Sequence, residues 1–81
     1  MSANEVYVRL EQVFMDTFKK SHSNDVVSME YNKSSGWDSV AHMSLIAHIE
    51  SEFEIMLEID DILGLSSFTK AVEIVLGYVA D

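Results

Sequence analysis

The stretch Gly36-Trp37-Asp38-Ser39-Val40-Ala41-His42-Met43-Ser44-Leu45-Ile46-Ala47-His48-Ile49-Glu50-Ser51-Glu52-Phe53 joins a glycine turn, a capping aspartate and a periodic apolar run. Met43, Ile46, Ile49 and Phe53 fall at three- and four-residue intervals, with Leu45 widening the stripe. This spacing predicts a helix over residues 39–53 with Asp38 as its N-cap. The same period recurs on both sides. Val6, Leu10, Val13, Phe14 and Phe18 mark a helix over residues 3–20. Ser2 and Glu5 open it in the S-x-x-E arrangement, and Lys19 and Lys20 suit the negative end of its dipole. Phe68, Ala71, Val72, Val75 and Val79 mark another over 67–79, capped by Ser66 or Ser67. Between them Ile55, Leu57, Ile59, Ile62, Leu63 and Leu65 alternate and then turn helical around Asp60-Asp61. A short helix over 59–64 follows, with Gly64 as its stop.

The fold class is therefore all-α: a four-helix bundle in one domain over residues 1–81, with no repeat and nothing that argues for a sheet. Val6, Leu10, Phe14, Ile46, Ile49, Phe53, Phe68, Val72 and Val75 are the expected core. Residues 21–37 form a long connection whose apolar spots, Val26, Val27, Met29 and Tyr31, are expected to pack on that core. A chain of this length buries only about 60% of the surface its unfolded form exposes, leaving little room for an enclosed catalytic pocket. A self-sufficient enzyme is a poor fit.

Charge is placed unevenly. The net charge is -9, and residues 34–69 hold seven acidic side chains with no Lys or Arg. Such an acidic segment repels phosphate backbones, which argues against nucleic acid, and suits a partner that is basic where it touches. No stretch approaches the roughly 18 apolar residues of a membrane span, and the first ten residues lack a signal-peptide pattern. A cytoplasmic monomer is expected. With no cysteine there is no disulfide, thiolate metal site or cysteine nucleophile. His42 and His48 sit six residues apart, on different faces of a helix, and the neighbouring acids do not follow a calcium-loop spacing, so no metal site is expected. Ser39 with His42 raises the question of a hydrolase, but the glycines of a nucleophile elbow are missing and His42 at i+3 is badly placed to activate the Ser39 hydroxyl. No catalytic residue is expected. What remains is an exposed hydroxyl at a helix start, available to another enzyme.

Gly36-Trp37-Asp38-Ser39-Val40, followed by a helix ending Ile49-Glu50-Ser51-Glu52-Phe53, resembles the acyl carrier protein family, whose signature is Asp-Ser-Leu, Ile or Val at the start of the second helix. The likeness continues through Asp60-Asp61 and Ala71-Val72-Glu73-Ile74-Val75 and covers residues 3–80. It implies a bundle of acyl-carrier type in which Ser39, preceded by the motif residue Asp38, is the attachment point of phosphopantetheine. The arm would hold an acyl or aminoacyl group as a thioester, as in fatty acid or polyketide biosynthesis, and the chain itself would catalyse nothing. The implied partners are a phosphopantetheinyl transferase, a loading ligase for acyl or aminoacyl groups, and acyltransferase or synthase enzymes with basic docking patches. Val40, Ala41, Met43, Ser44, Ala47, Glu50 and Ser51 are the positions implied for the docking face. Ala41 and Ser44 stand where fatty acid carriers have acids, and Trp37 precedes Asp38. These departures resemble carriers dedicated to a specialised pathway. D-alanyl and peptidyl carriers share the serine, and an unmodified helical adaptor is the remaining alternative.

Overall fold

Helix boundaries in this chain follow from local capping. The computed structural model describes residues 1–80 and, among them, contains α1 (Ala3–Phe18), α2 (Ser39–Phe53), α3 (Ile59–Gly64) and α4 (Phe68–Val79), with a single 3-10 turn at Ser23–Asp25. Ser2, Asp38 and Ser67 each accept a backbone N–H of the following first turn, from Glu5, Ala41 and Lys70 respectively. Each side chain thereby satisfies one of the amides that a helix start leaves without an acceptor.

The ends of the first two helices share a different device. Lys19 and Glu54 take left-handed backbone conformations, with φ of 59° and 54°. The N–H groups of Lys20 and Ile55 then return to the carbonyls of Met15 and Glu50, at 2.9 and 3.1 Å. These five-residue closures turn the chain sharply out of α1 and α2. The first helix consequently stops at Phe18 rather than at residue 20, and the two lysines lie beyond its last turn. Gly64 belongs to α3 itself, whose cap is Leu65 with an ordinary negative φ, so the stop expected from glycine is not used. The fourth helix begins at Phe68 because Ser67 serves as its cap outside the helix.

The helices converge on Phe14. Its ring meets Phe68 edge-on at 5.0 Å and Trp37 at 5.4 Å, and lies 5.8 Å from Phe18. Val6, Leu10, Ile46, Ile49, Phe53 and Val75 are buried around it, and so are Leu45 and Ala71. Burial of a side chain such as Phe14 contributes roughly 1.5–3 kcal/mol. Val72 departs from expectation. It is only partly buried, because the inward line of α4 runs through Phe68, Ala71 and Val75 and leaves Val72 at its edge.

The long connection is ordered by the core and by main-chain bonds. Val26 and Met29 are buried, and Val27 and Tyr31 pack partly against the core. An isolated antiparallel bridge joins Glu30 to Ser67, with Tyr31 N–H donating to the Ser66 carbonyl at 2.9 Å and Phe68 N–H to Met29 at 3.1 Å. The loop is thus pinned to the start of α4 before it reaches α2. Arg9 locks the other end of the bundle: its Nε donates to Glu52 Oε2 at 2.8 Å and its Nη2 to the Glu52 carbonyl at 2.9 Å. No helix among the described residues is long and apolar enough to cross a membrane.

Candidate functional site at the start of the second helix

The segment Gly36-Trp37-Asp38-Ser39 is built as a buried anchor followed by an exposed helix start. Gly36 has φ of 88°, a left-handed conformation that a side chain would strain, and it turns the chain so that Trp37 points inward. Trp37 is 1% exposed. Its ring sits against Phe14 and Phe18, both at 5.4 Å, and 6.3 Å from Tyr31. Its backbone is held as well: Asn32 N–H donates to the Trp37 carbonyl at 2.9 Å, and Trp37 N–H to Ser34 at 3.2 Å.

Asp38 and Ser39 follow immediately and are exposed. Asp38 Oδ1 accepts the Ala41 N–H at 2.9 Å, and the Asp38 carbonyl accepts the His42 N–H at 2.9 Å. The N–H groups of Ser39 and Val40 precede the first intrahelical bond. Ser39 therefore presents its hydroxyl at the positive end of α2 on a frame fixed from beneath by Trp37.

His42 is committed elsewhere. Trp37 Nε1–H donates to His42 Nδ1 at 3.0 Å, and His42 Nε2 lies 2.8 Å from the Ile62 carbonyl. A carbonyl only accepts, so Nε2 carries the proton and Nδ1 is the acceptor. Both ring nitrogens are occupied without Ser39, and the arrangement does not make a serine–histidine nucleophile. The second histidine of α2, His48, pairs with Thr17 across to α1 at 2.9 Å. No group of three or more His, Asp or Glu side chains among the described residues is arranged to hold a metal.

The exposed faces of α2 and α3 are apolar and acidic together. Val40 and Met43 are 79% and 58% exposed, and Ile59 and Leu63 of α3 are 68% and 76% exposed. Met56, in the loop between these helices, is 84% exposed. Met43 fits the periodic stripe of α2 in sequence yet lies outside the core. Ser44, Ala47 and Ser51 are exposed, while Ala41 is partly buried. Glu50 is also partly buried, and its Oε2 accepts the Leu57 N–H at 2.9 Å. Its carboxylate holds the α2–α3 loop. Glu58 stands at the N-cap position of α3, where its side chain makes no capping hydrogen bond, and Asp60 and Asp61 occupy the first turn.

Sequence reading did not foresee the share of α3 in this surface, or the Trp37–His42 pair. The first had a signal: seven apolar residues within eleven positions, 55–65, exceed what a six-residue helix and its flanks can bury. The second had none, since a five-residue separation across a cap matches no regular periodicity. No protein-family model, curated protein or solved structure matches this chain. The reading of the site rests on its residues and their geometry.

Proposed function

We propose that this chain is a carrier of acyl-carrier type, in which Ser39 receives phosphopantetheine from coenzyme A by the action of a separate transferase. The thiol of the bound arm would hold an acyl or aminoacyl group as a thioester for partner enzymes of a specialised biosynthetic pathway. The observation that carries this reading is the Ser39 hydroxyl, exposed at the first residue of α2 on a buried tryptophan anchor. A flexible arm needs an accessible oxygen rather than a pocket, and the residues present fit that need. A phosphodiester at this oxygen would meet first-turn N–H groups and the positive end of the helix dipole. In the transfer a bond forms between Ser39 Oγ and phosphorus, the anhydride bond of coenzyme A breaks, adenosine bisphosphate leaves, and the transferase takes the serine proton.

The chain's other contribution is recognition. Val40 and Met43 on α2 and Ile59 and Leu63 on α3 offer exposed apolar contact, and the acids of residues 34–69 favour a partner bringing Lys or Arg. Such charges steer encounter and orient it, while the apolar residues supply the buried contact. Holding the acyl group on a tethered arm raises its effective concentration at each docked enzyme.

The test is the intact mass of the chain after incubation with coenzyme A and a broad-specificity phosphopantetheinyl transferase, with Ser39→Ala in parallel. One phosphopantetheine on wild type and none on the variant is the expected result. An unmodified, folded wild type that binds its partners as well as Ser39→Ala does would replace the carrier reading with an adaptor.

A further inference from the structure

We propose that His42 is a proton-sensitive positioning residue for the Ser39 segment: in its neutral form it holds Trp37 in place, and protonation releases that hold. The indole and imidazole rings lie within 19° of parallel with centroids 6.0 Å apart. With Nε1 and Nδ1 only 3.0 Å apart, this is an edge-to-edge, in-plane hydrogen bond rather than face-to-face stacking. The bond requires a bare Nδ1. His42 Nε2–H is already donated to the Ile62 carbonyl, so the only ring nitrogen that can take a proton is the one that accepts from Trp37. An imidazolium would set its Nδ1–H against the indole N–H and leave a buried donor without an acceptor. The bond to Ile62 would survive, since it needs only the Nε2 proton.

The consequence is directional. Protonation leaves His42 attached to α3 and detaches it from Trp37, the residue two positions before Ser39. Trp37 is also the point from which the 31–37 loop hangs, through its carbonyl to Asn32 N–H. The release therefore falls on the junction from which α2 starts. Tyr31 of the loop faces the imidazole at 5.1 Å, Asp38, the cap of α2, lies four residues earlier, and Asp60 and Asp61 of α3 come just before Ile62. Asp61 is itself bonded to Tyr78 Oη. Residues 34–69 contain no Lys or Arg, while Lys19 and Lys20 follow Phe18, whose ring packs on Trp37, and Lys33 lies in the 31–37 loop. Any effect on loading or presenting an arm rests on the carrier reading of Ser39; the switch itself does not.

Trp37 is the chain's one tryptophan, so its indole N–H gives a single, unmistakable NMR signal. The experiment is a pH titration of the unmodified, isotope-labelled chain from 8 to 5, following that signal with the ring signals of His42. The expected result is that the indole proton shifts and exchanges faster with solvent in step with His42 protonation, while backbone signals of α4 stay in place. His42→Asn, which offers a non-titrating oxygen near the position of Nδ1, should make the indole signal independent of pH. An indole signal that stays fixed while His42 protonates, or that moves equally in His42→Asn, overturns the proposal. Neither measurement uses Ser39. Transferase labelling of the same samples, followed by mass, reads the carrier hypothesis separately.

Discussion

Replacing Glu50 by alanine separates a docking role from a structural one. Glu50 Oε2 accepts the N–H of Leu57 at 2.9 Å, and Leu57 is buried. Truncation at residue 50 leaves that N–H without an acceptor in a place water reaches poorly. A buried donor stranded in this way costs about 1–3 kcal/mol. Alanine returns a few tenths of a kcal/mol through its helix propensity, for a net loss of about 1–2 kcal/mol. In a domain of this size each kcal/mol moves Tm by about 4–8 °C, so Glu50→Ala should melt roughly 5–15 °C below wild type. Glu50→Gln keeps an oxygen in reach of Leu57 and gives up only the charge assistance, a loss below about 1 kcal/mol. Far-UV circular dichroism melts at fixed salt give the stabilities, and on the proposed carrier reading kcat/KM for phosphopantetheine transfer, measured where all three proteins are folded, would give the docking effect. The reasoning predicts a large stability loss in Glu50→Ala and a transfer rate in Glu50→Gln within about twofold of wild type, since rim charges contribute little affinity. A Tm for Glu50→Ala within about 2 °C of wild type, together with a loss of transfer in both variants, would refute it and return Glu50 to the docking face.

Three further outcomes follow from the geometry. Arg9→Lys should cost about 1–2 kcal/mol by chemical denaturation, because an ammonium cannot reach the Glu52 carboxylate and carbonyl at once and gives up the guanidinium lying 5.2 Å from the centre of the Phe53 ring; a variant as stable as wild type would remove the clamp from the account. Glu54→Gly should stabilise the chain by up to about 1 kcal/mol, since residue 54 is left-handed and its negative charge sits at the carbonyl end of α2; a loss of about 1 kcal/mol, as for glycine inside a helix, would count against the closure described. The hydrogen bond to Asp61 pushes the Tyr78 phenol above its ordinary value of 10.0, so its contribution is complete below pH 10 and is lost as pH rises through the folded value; the Tm gap between wild type and Tyr78→Phe should be level near neutrality and close above pH 10, and a gap that widens there would reverse the sign.

Much of this bundle is legible in the sequence because caps and stripes are local. Asp38 and Ser67 each sit one residue before a periodic apolar run, and those two signals fix the starts of α2 and α4. The end of α1 was less legible. Lysine is not a residue that announces a left-handed turn, and only the return of Lys20 N–H to Met15 stops the helix at Phe18. The difference between Val72 and Ala71 is likewise tertiary: periodicity names a face, while the neighbours that α4 meets decide which edge of that face is inside.

The site divides along the same line. Ser39 stands out in sequence because a helix cap and a glycine turn adjoin it, and these are contiguous features. The groups that hold it come from three separated places: the Trp37 side chain before the cap, the His42 side chain one turn into α2, and the Ile62 backbone carbonyl twenty residues later. Their link also explains an arrangement that each residue alone would make costly. A buried tryptophan next to an exposed cap needs an acceptor for its N–H, and His42 provides one while staying partly exposed at the surface. A phenylalanine at residue 37 would fill most of the same space without that acceptor, yet it would leave the helix start joined to α3 by packing alone. The hydrogen-bonded pair ties the segment that precedes the exposed serine to α3, through Trp37, His42 and the Ile62 carbonyl.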